Sequence, residues 1–370
     1  MVERRRHAMS SDGCGPLPHG AEARRMSETT TLASPAALAR AGLVAPERLA
    51  ALEVVAARYA VAVTPASAAL IDPANPADPI GLQFLPQAAE LHTAPDEAAD
   101  PIGDLAKSPV EGIVHRYPDR VLLMPTRVCA TYCRFCFRRE RVGPGRGANL
   151  TAAELDAALA YIAERPQIWE VILTGGDPMV LSARRLAALM ARLGEIDHVK
   201  VVRLHTRVPA VAPERVTGAL VSALRRSGKA VYVALHANHP RELTPQARAA
   251  CARLIDAGIP MLSQSVLLRG VNDSPEVLAE LMRAFVEMRI RPYYLHHGDA
   301  APGTSHLRLP LEEGQVLVRS LRGRISGLAQ PTFVLDIPGG HGKVPVGPGY
   351  LSADRRQVED PWGEPHDLDG

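Results

Sequence analysis

Residues 129–136 read Cys-Ala-Thr-Tyr-Cys-Arg-Phe-Cys, which sets Cys129, Cys133 and Cys136 at the spacing C-x3-C-x2-C. Three thiolates this close on one loop can ligate three irons of a cubane cluster, whereas full ligation takes four cysteines. The remaining cysteines, Cys14 and Cys251, are distant in sequence, so the fourth iron is expected to stay open. An open metal position is what catalysis requires, as at zinc sites. A structural zinc knuckle is the competing reading, and it needs a fourth ligand such as His115 or His205. A second suggestive stretch is 331–346, Pro-Thr-Phe-Val-Leu-Asp-Ile-Pro-Gly-Gly-His-Gly-Lys-Val-Pro-Val. It reads as a strand running into a glycine-rich turn that ends in Lys343. Glycines let the backbone turn sharply and let a ligand come close. A lysine on such a loop can form a Schiff base with pyridoxal phosphate. Alone, that pattern also describes many solvated surface lysines.

The elements around these residues alternate. From Arg120 onward the pattern predicts strands at 121–124, 170–173, 199–204, 230–235, 260–268, 293–296 and 332–335. Between them it predicts helices at 151–163, 183–193, 213–225, from Pro245, from Pro275 and at 311–321. Thr151 and Glu154 stand in capping-box spacing, and Ser182, Thr244 and Ser274 are N-cap candidates. Strands separated by helices imply right-handed βαβ units and a parallel sheet. The expected fold class is α/β, a partial parallel (β/α)6-type barrel with a helical N-terminal arm and a C-terminal segment for pyridoxal phosphate. In such folds chemistry sits at the C-terminal ends of strands. Cys129, Gly175, His205, His236 and Asp299 fall there, after the first, second, third, fourth and sixth strands. The expected organisation is a disordered tail at 1–30, the arm at 31–108, the barrel at 109–326 and the lysine segment with its tail at 327–370.

Composition narrows the classes. The chain has 370 residues with 42 Lys and Arg against 40 Asp and Glu, a net charge of +2. So balanced a charge gives no reason to expect nucleic acid or an anionic membrane as partner, and no apolar run is long enough to span a bilayer. Five cysteines, three of them clustered, argue against a disulfide framework and for a reducing, cytoplasmic setting. The first thirty residues lack the apolar core of a secretory signal. They are Arg-rich, and Met26 offers an alternative start, so a tail without a targeting role is the expectation.

The cysteine spacing and its place after the first barrel strand resemble the radical S-adenosylmethionine superfamily. Together with the Lys343 stretch, the chain resembles the lysine 2,3-aminomutases from about Tyr59 to Tyr350. The resemblance is carried by Ile71-Asp72-Pro73, Ser108-Pro109-Val110, His115-Arg116-Tyr117-Pro118-Asp119-Arg120 and Gly175-Gly176-Asp177. It continues through 236–240, 264–273, Arg291-Pro292-Tyr293-Tyr294, Leu321-Arg322-Gly323 and the Lys343 stretch. It implies a 4Fe-4S cluster, S-adenosyl-L-methionine and pyridoxal 5′-phosphate as cofactors, and L-lysine isomerised to β-lysine by a 5′-deoxyadenosyl radical. By the same resemblance, Lys343 would hold pyridoxal phosphate and Arg138 the substrate carboxylate. Asp299 and Asp336 would face the distal ammonium, and Arg116 the oxygens of pyridoxal phosphate. Gly175, Gly176 and Asp177 would lie along S-adenosylmethionine, with His236 and Gln264 near the cofactors. His296 and His297 receive no role.

A flavodoxin or ferredoxin would be the electron donor, and a homo-oligomer stays open. The chain departs from relatives that carry a structural zinc site, having Ser274 where they have a cysteine and no cysteine after Cys251. It also has His341 within the glycine run. A relative that makes (R)-β-lysine for elongation factor P shares the cysteine loop, whereas Asp336 and 338–343 follow the ordinary aminomutase pattern. A non-catalytic iron-sulfur scaffold is the non-enzymatic alternative. The paired aspartates argue against a glutamate substrate.

Overall fold

The structure, a computed structural model, describes residues 30–143 and 147–368. Of the tail read at 1–30, residues 1–29, with Cys14 and Met26, lie outside the described residues. Nine strands form one sheet in sequence order: β1 (Ile113–Tyr117), β2 (Arg120–Thr126), β3 (Glu170–Gly175), β4 (Val201–Thr206), β5 (Ala230–His236), β6 (Met261–Val266), β7 (Ile290–His296), β8 (Thr332–Ile337) and β9 (Gly342–Pro345). β2 to β8 run parallel, and β1 and β9 flank them antiparallel. A spatial order equal to the chain order is what repeated right-handed crossovers produce, and it curls the sheet into a barrel. β3 reads Glu-Val-Ile-Leu-Thr-Gly, a near-continuous apolar run of the kind expected for a strand covered on both faces.

The helices cover the outside. Helix Ala183–Gly194 buries Leu186, Leu189, Met190 and Leu193, one face of a 3.6-residue repeat. Its N-cap Ser182 accepts from Arg185 N, and the Thr151–Glu154 capping box opens helix Ala152–Ala163. The helix expected at 213–225 is interrupted. Thr217 captures the Leu220 N–H and starts a separate helix, Gly218–Leu224, after a 3-10 turn at Pro213–Arg215.

Two strands of this sheet escaped the sequence reading, and both matter to the site. β1 carries His115 and Arg116 and pairs with β2 across a tight reversal in which Tyr117 faces Arg120. β9 carries Lys343, which stands opposite Asp336 of β8. The lysine therefore sits on a strand of a β-hairpin rather than in a glycine-rich turn. The turn itself holds Gly339 and Gly340 at φ of 81° and 84°, backbone that few L-residues adopt. The gap between β1 and β9 is bridged where Lys343 N donates to Tyr117 Oη at 2.7 Å. The arm wedges in beside it: a Cβ on Gly103 would stand 2.5 Å from the Gly339 carbonyl carbon.

Candidate active site

Successive side chains of a strand point to opposite faces, so alternate residues on several of the parallel strands enter the barrel lumen. Ile172 and Thr174 of β3, Arg203 and His205 of β4, and Tyr294 and His296 of β7 follow that period. With residues of the arm and the hairpin they enclose a cavity of about 470 Å³. A wider groove of about 1310 Å³ runs over the outer side of the cysteine loop past Cys129. Its charged residues, Glu53, Arg58, Arg185, Glu214 and Arg215, are all exposed, so it lacks the converging buried charges of the lumen.

Lys343, Arg138, Arg116, Asp299, Asp336, His236 and Gln264 all line the lumen. The Lys343 ammonium is ion-paired with the Asp336 carboxylate, and lies 5.9 Å from the centre of the Tyr294 ring. Arg116 Nη1 approaches the same carboxylate at 3.6 Å, and His296 Nδ1 at 3.7 Å. Burial alone would raise the Asp336 carboxyl, but His296 and Lys343 outweigh it and hold it well below the usual carboxylate range. Asp299 goes the other way. Burial, reinforced by the charge of Asp336, pushes it up to about 7. Two carboxyl groups in one site thus ionise far apart, a pattern common where ligands are bound.

Asp104, which the sequence reading did not single out, joins the two arginines. Its carboxylate takes Arg116 Nη2 at 3.0 Å and Arg138 Nε at 2.8 Å. Arg138 also reaches Thr174 Oγ1 at 3.5 Å. Arg116 Nη2 donates to Ile102 O at 2.7 Å as well, while its Nε finds no hydrogen-bond partner among the described residues. The same holds for His205 Nε2 and His236 Nε2. Burial and Arg203 keep His205 well below its ordinary value, and burial and His296 bring His236 down to about 3. Both imidazoles are therefore neutral, each with one acceptor nitrogen. At the other end of the lumen Arg203 Nε meets Glu170 at 2.9 Å. Arg120 lines the wall there and packs 3.8 Å from the Tyr117 ring centre. His297 turns outward and bonds Leu309 O.

The three cysteines stand on the loop after β2, which the arm clamps. Glu90, fully buried, accepts from Arg134 Nε at 3.0 and 3.1 Å and is also paired with Arg139. Arg139 stacks 3.6 Å from the Tyr59 ring centre. Arg134 N and Nη1 donate to Gln83 O and Ala60 O, at 2.8 and 2.9 Å. Behind the loop, Gly176 N donates to Thr126 O and Asp177 N to Val128 O. A Cβ on Gly176 would lie 2.2 Å from Val128 O, and one on Gly175 2.5 Å from Thr126 O, so both positions need glycine for close approach. The Asp177 carboxylate is turned inward. It accepts from Thr206 Oγ1 at 2.7 Å, Arg207 N at 2.8 Å and Met179 N at 3.0 Å. His115 Nδ1 is bonded to Tyr161 Oη at 2.8 Å.

Two family models match the chain, the Radical SAM superfamily at residues 123–282 and Lysine-2,3-aminomutase at residues 318–358. An L-lysine 2,3-aminomutase of Acetoanaerobium sticklandii is 45% identical over 79% of this chain and 70% of its own length. One from Clostridium subterminale is 44% identical over the same shares. A glutamate 2,3-aminomutase of Clostridioides difficile is 36% identical over 80% of this chain and 70% of its own.

The cofactors that this membership implies are a 4Fe-4S cluster, S-adenosylmethionine and pyridoxal phosphate, and the residues present fit them. Among the described residues no three His, Cys, Asp or Glu side chains gather as ligands of one metal ion. A cubane instead takes each thiolate on a different iron. Burial, then the neighbouring Cys133, raises the Cys136 thiol to about 11, and burial with Asp177 raises Cys129 well above its ordinary value. Such thiols ionise in place only against a strong positive charge, which iron supplies. The lumen offers an anionic aldehyde cofactor one lysine and several guanidinium groups, together with the partnerless buried nitrogens of Arg116, His205 and His236. Sequence match, barrel and site agree, and the chain belongs to the lysine 2,3-aminomutase family within the radical S-adenosylmethionine superfamily.

Proposed function

We propose that this chain interconverts L-lysine and β-lysine. The observation that carries the substrate choice is the ammonium already seated on Asp336, that of Lys343, with Asp299 lining the same lumen. A site that seats an alkylammonium on one carboxylate, with a second carboxyl group lining the same lumen, suits the distal end of lysine and repels that of glutamate. When bound, the cluster and S-adenosylmethionine supply a 5′-deoxyadenosyl radical, and pyridoxal phosphate delocalises the unpaired electron while the amino group moves. Lys343 anchors the pyridoxal phosphate, and Arg116 contacts its oxygens. Arg138, held in one orientation by Asp104, offers a guanidinium fork to the substrate carboxylate. Asp299 and Asp336 take the distal ammonium. Gly175 and Gly176 bring backbone alongside S-adenosylmethionine, with His236 and Gln264 beside the cofactors. Asp177 acts behind this surface, fixing Thr206 and Arg207. Cys129, Cys133 and Cys136 ligate three irons.

The barrel at 109–326 carries the radical chemistry, the segment at 327–370 the cofactor lysine, and the arm at 31–108 closes the site. A flavodoxin or ferredoxin in the cytoplasm is the proposed electron source. Among the described residues no helix is long and apolar enough to cross a membrane.

Asp299 gives this reading a pH signature. Its carboxyl ionises near 7, so its attraction for an ammonium grows as pH rises from 6 to 8. For stability the sign is reversed. The folded-state value lies above the unfolded one, so this group's contribution is full below about 4 and is lost as pH rises through 7. Lysine titrated anaerobically into protein loaded with pyridoxal phosphate, without reductant, should perturb the cofactor absorbance more tightly at pH 8 than at pH 6. Asp299→Asn should flatten that dependence, and glutamate should leave the band unchanged. A glutamate response at lower concentration than the lysine response would overturn the lysine assignment.

A further inference from the structure

Arg207 follows β4 and belongs to none of the roles above. Its guanidinium is buried and held on several sides. Nη2 is ion-paired with Glu242 and donates to Gln83 Oε1 at 3.0 Å. Glu242 is in turn fixed by Asn238 N at 2.7 Å, His239 N at 3.0 Å and Gln83 Nε2 at 3.2 Å. Phe84 and Phe135 pack on the guanidinium at 4.9 and 5.5 Å from their ring centres. Asp177 holds its backbone N–H. Nε finds no hydrogen-bond partner among the described residues, and the scaffold directs Nη1 to Cys133 Sγ, to which it donates at 3.2 Å. An arginine so constrained delivers both a hydrogen bond and a positive charge to one cysteine sulfur.

We infer that Arg207 raises the reduction potential of the cluster by acting through Cys133. The inference rests on the cluster reading given above. Reduction adds one electron to the cluster from a low-potential one-electron donor. No bond to Arg207 forms or breaks and no proton leaves it. The added negative charge is stabilised by the guanidinium, and hydrogen bonds to cluster sulfurs are among the main determinants of potential. Glu242 opposes the effect, since its carboxylate offsets part of that positive charge. Arg207 and Glu242 should therefore move the potential in opposite directions. A general loosening of the site would not do that.

The test is a redox titration of reconstituted protein, with the reduced cluster followed by electron paramagnetic resonance and iron and sulfide measured on each sample. Arg207→Gln should lower the reduced-to-oxidised ratio at fixed potential about tenfold, a downward shift of about 59 mV for one electron. Arg207→Lys, which keeps the charge and loses the fork, should fall between. Glu242→Gln retains an acceptor oxygen for Asn238 and His239, and it should shift the ratio upward. Should Arg207→Gln fail to hold the cluster, the Glu242→Gln shift decides. Ratios unchanged within twofold at full iron content overturn the inference. The measurement needs no turnover, so a chain that carries the cluster but leaves lysine unchanged would contradict the proposed function and still decide this point. Failure of the unaltered chain to take up a cluster would overturn both.

Discussion

Replacement of Lys343 by alanine is expected to remove isomerase turnover by at least about a thousandfold, the scale on which covalent catalysts fail when their nucleophile is deleted. The cluster should remain. Lys343 stands on β9, across the lumen hairpin from Asp336, and touches none of the three cysteines, so iron and sulfide content and the reduced-cluster signal should match the unaltered chain. Two further consequences follow from its ion pair. Without the ammonium, Asp336 keeps Arg116 at 3.6 Å and His296 at 3.7 Å as partners, so the fold should survive. Borohydride treatment of the unaltered protein should fix pyridoxal phosphate to a peptide containing Lys343. Recovery of the label on another lysine would remove Lys343 from its proposed role.

The second large effect is structural. Glu90→Ala is expected to cost about 3–5 kcal/mol of stability, the usual penalty for removing one partner of a buried ion pair. Glu90 is 0% exposed and its two partners, Arg134 and Arg139, are 1% and 5% exposed, so two guanidinium groups would be left in the protein interior without a counterion. Both belong to the cysteine loop, and cluster uptake should fall with stability. Asp256→Ala supplies the contrast. Its pairing with Arg289 joins side chains 63% and 59% exposed, and such pairs contribute less than about 1 kcal/mol. Denaturant unfolding of both variants, free of cofactors, measures the difference. Equal losses would mean that the arm is not pinned through Glu90.

Which parts of this site could be read in the sequence follows from how local each signal is. Cys129, Cys133 and Cys136 announce themselves because their ligand spacing lies within one loop. The parallel strands were readable because lumen and outer faces are both covered, which leaves apolar runs bounded by turns. The terminal strands were not. β1 and β9 have five and four residues, too few for periodicity, and β9 was hidden behind a glycine run that reads as a turn. The charged scaffold was equally silent. Asp104 serves Arg138 from 34 positions away, Glu90 serves Arg134 from 44, and Arg207 reaches Cys133 across 74. A buried carboxylate carries no mark in sequence to distinguish it from a solvated one. Asp177 illustrates the limit. Its place in Gly175-Gly176-Asp177 was legible, while its orientation, inward on Thr206 and Arg207, depends on where β4 ends.

The arm also explains why the site holds opposite charges at close range. Asp104, on the arm, pairs with both Arg116 and Arg138 and sets the two side by side. Those two cations offset part of the repulsion between Asp299 and Asp336. The result is a cavity with an anionic end for an ammonium and a cationic wall for carboxylate and phosphate, which is the charge pattern a basic amino acid on a phosphorylated cofactor requires.

The central claim is tested most directly by anaerobic incubation of reconstituted protein with L-lysine, S-adenosylmethionine, pyridoxal phosphate and a low-potential reductant. Products are resolved by position and configuration. The expected result is β-lysine at equilibrium with L-lysine, dependent on Cys133 and Lys343. Unchanged lysine in a sample with a full cluster and bound pyridoxal phosphate would contradict it.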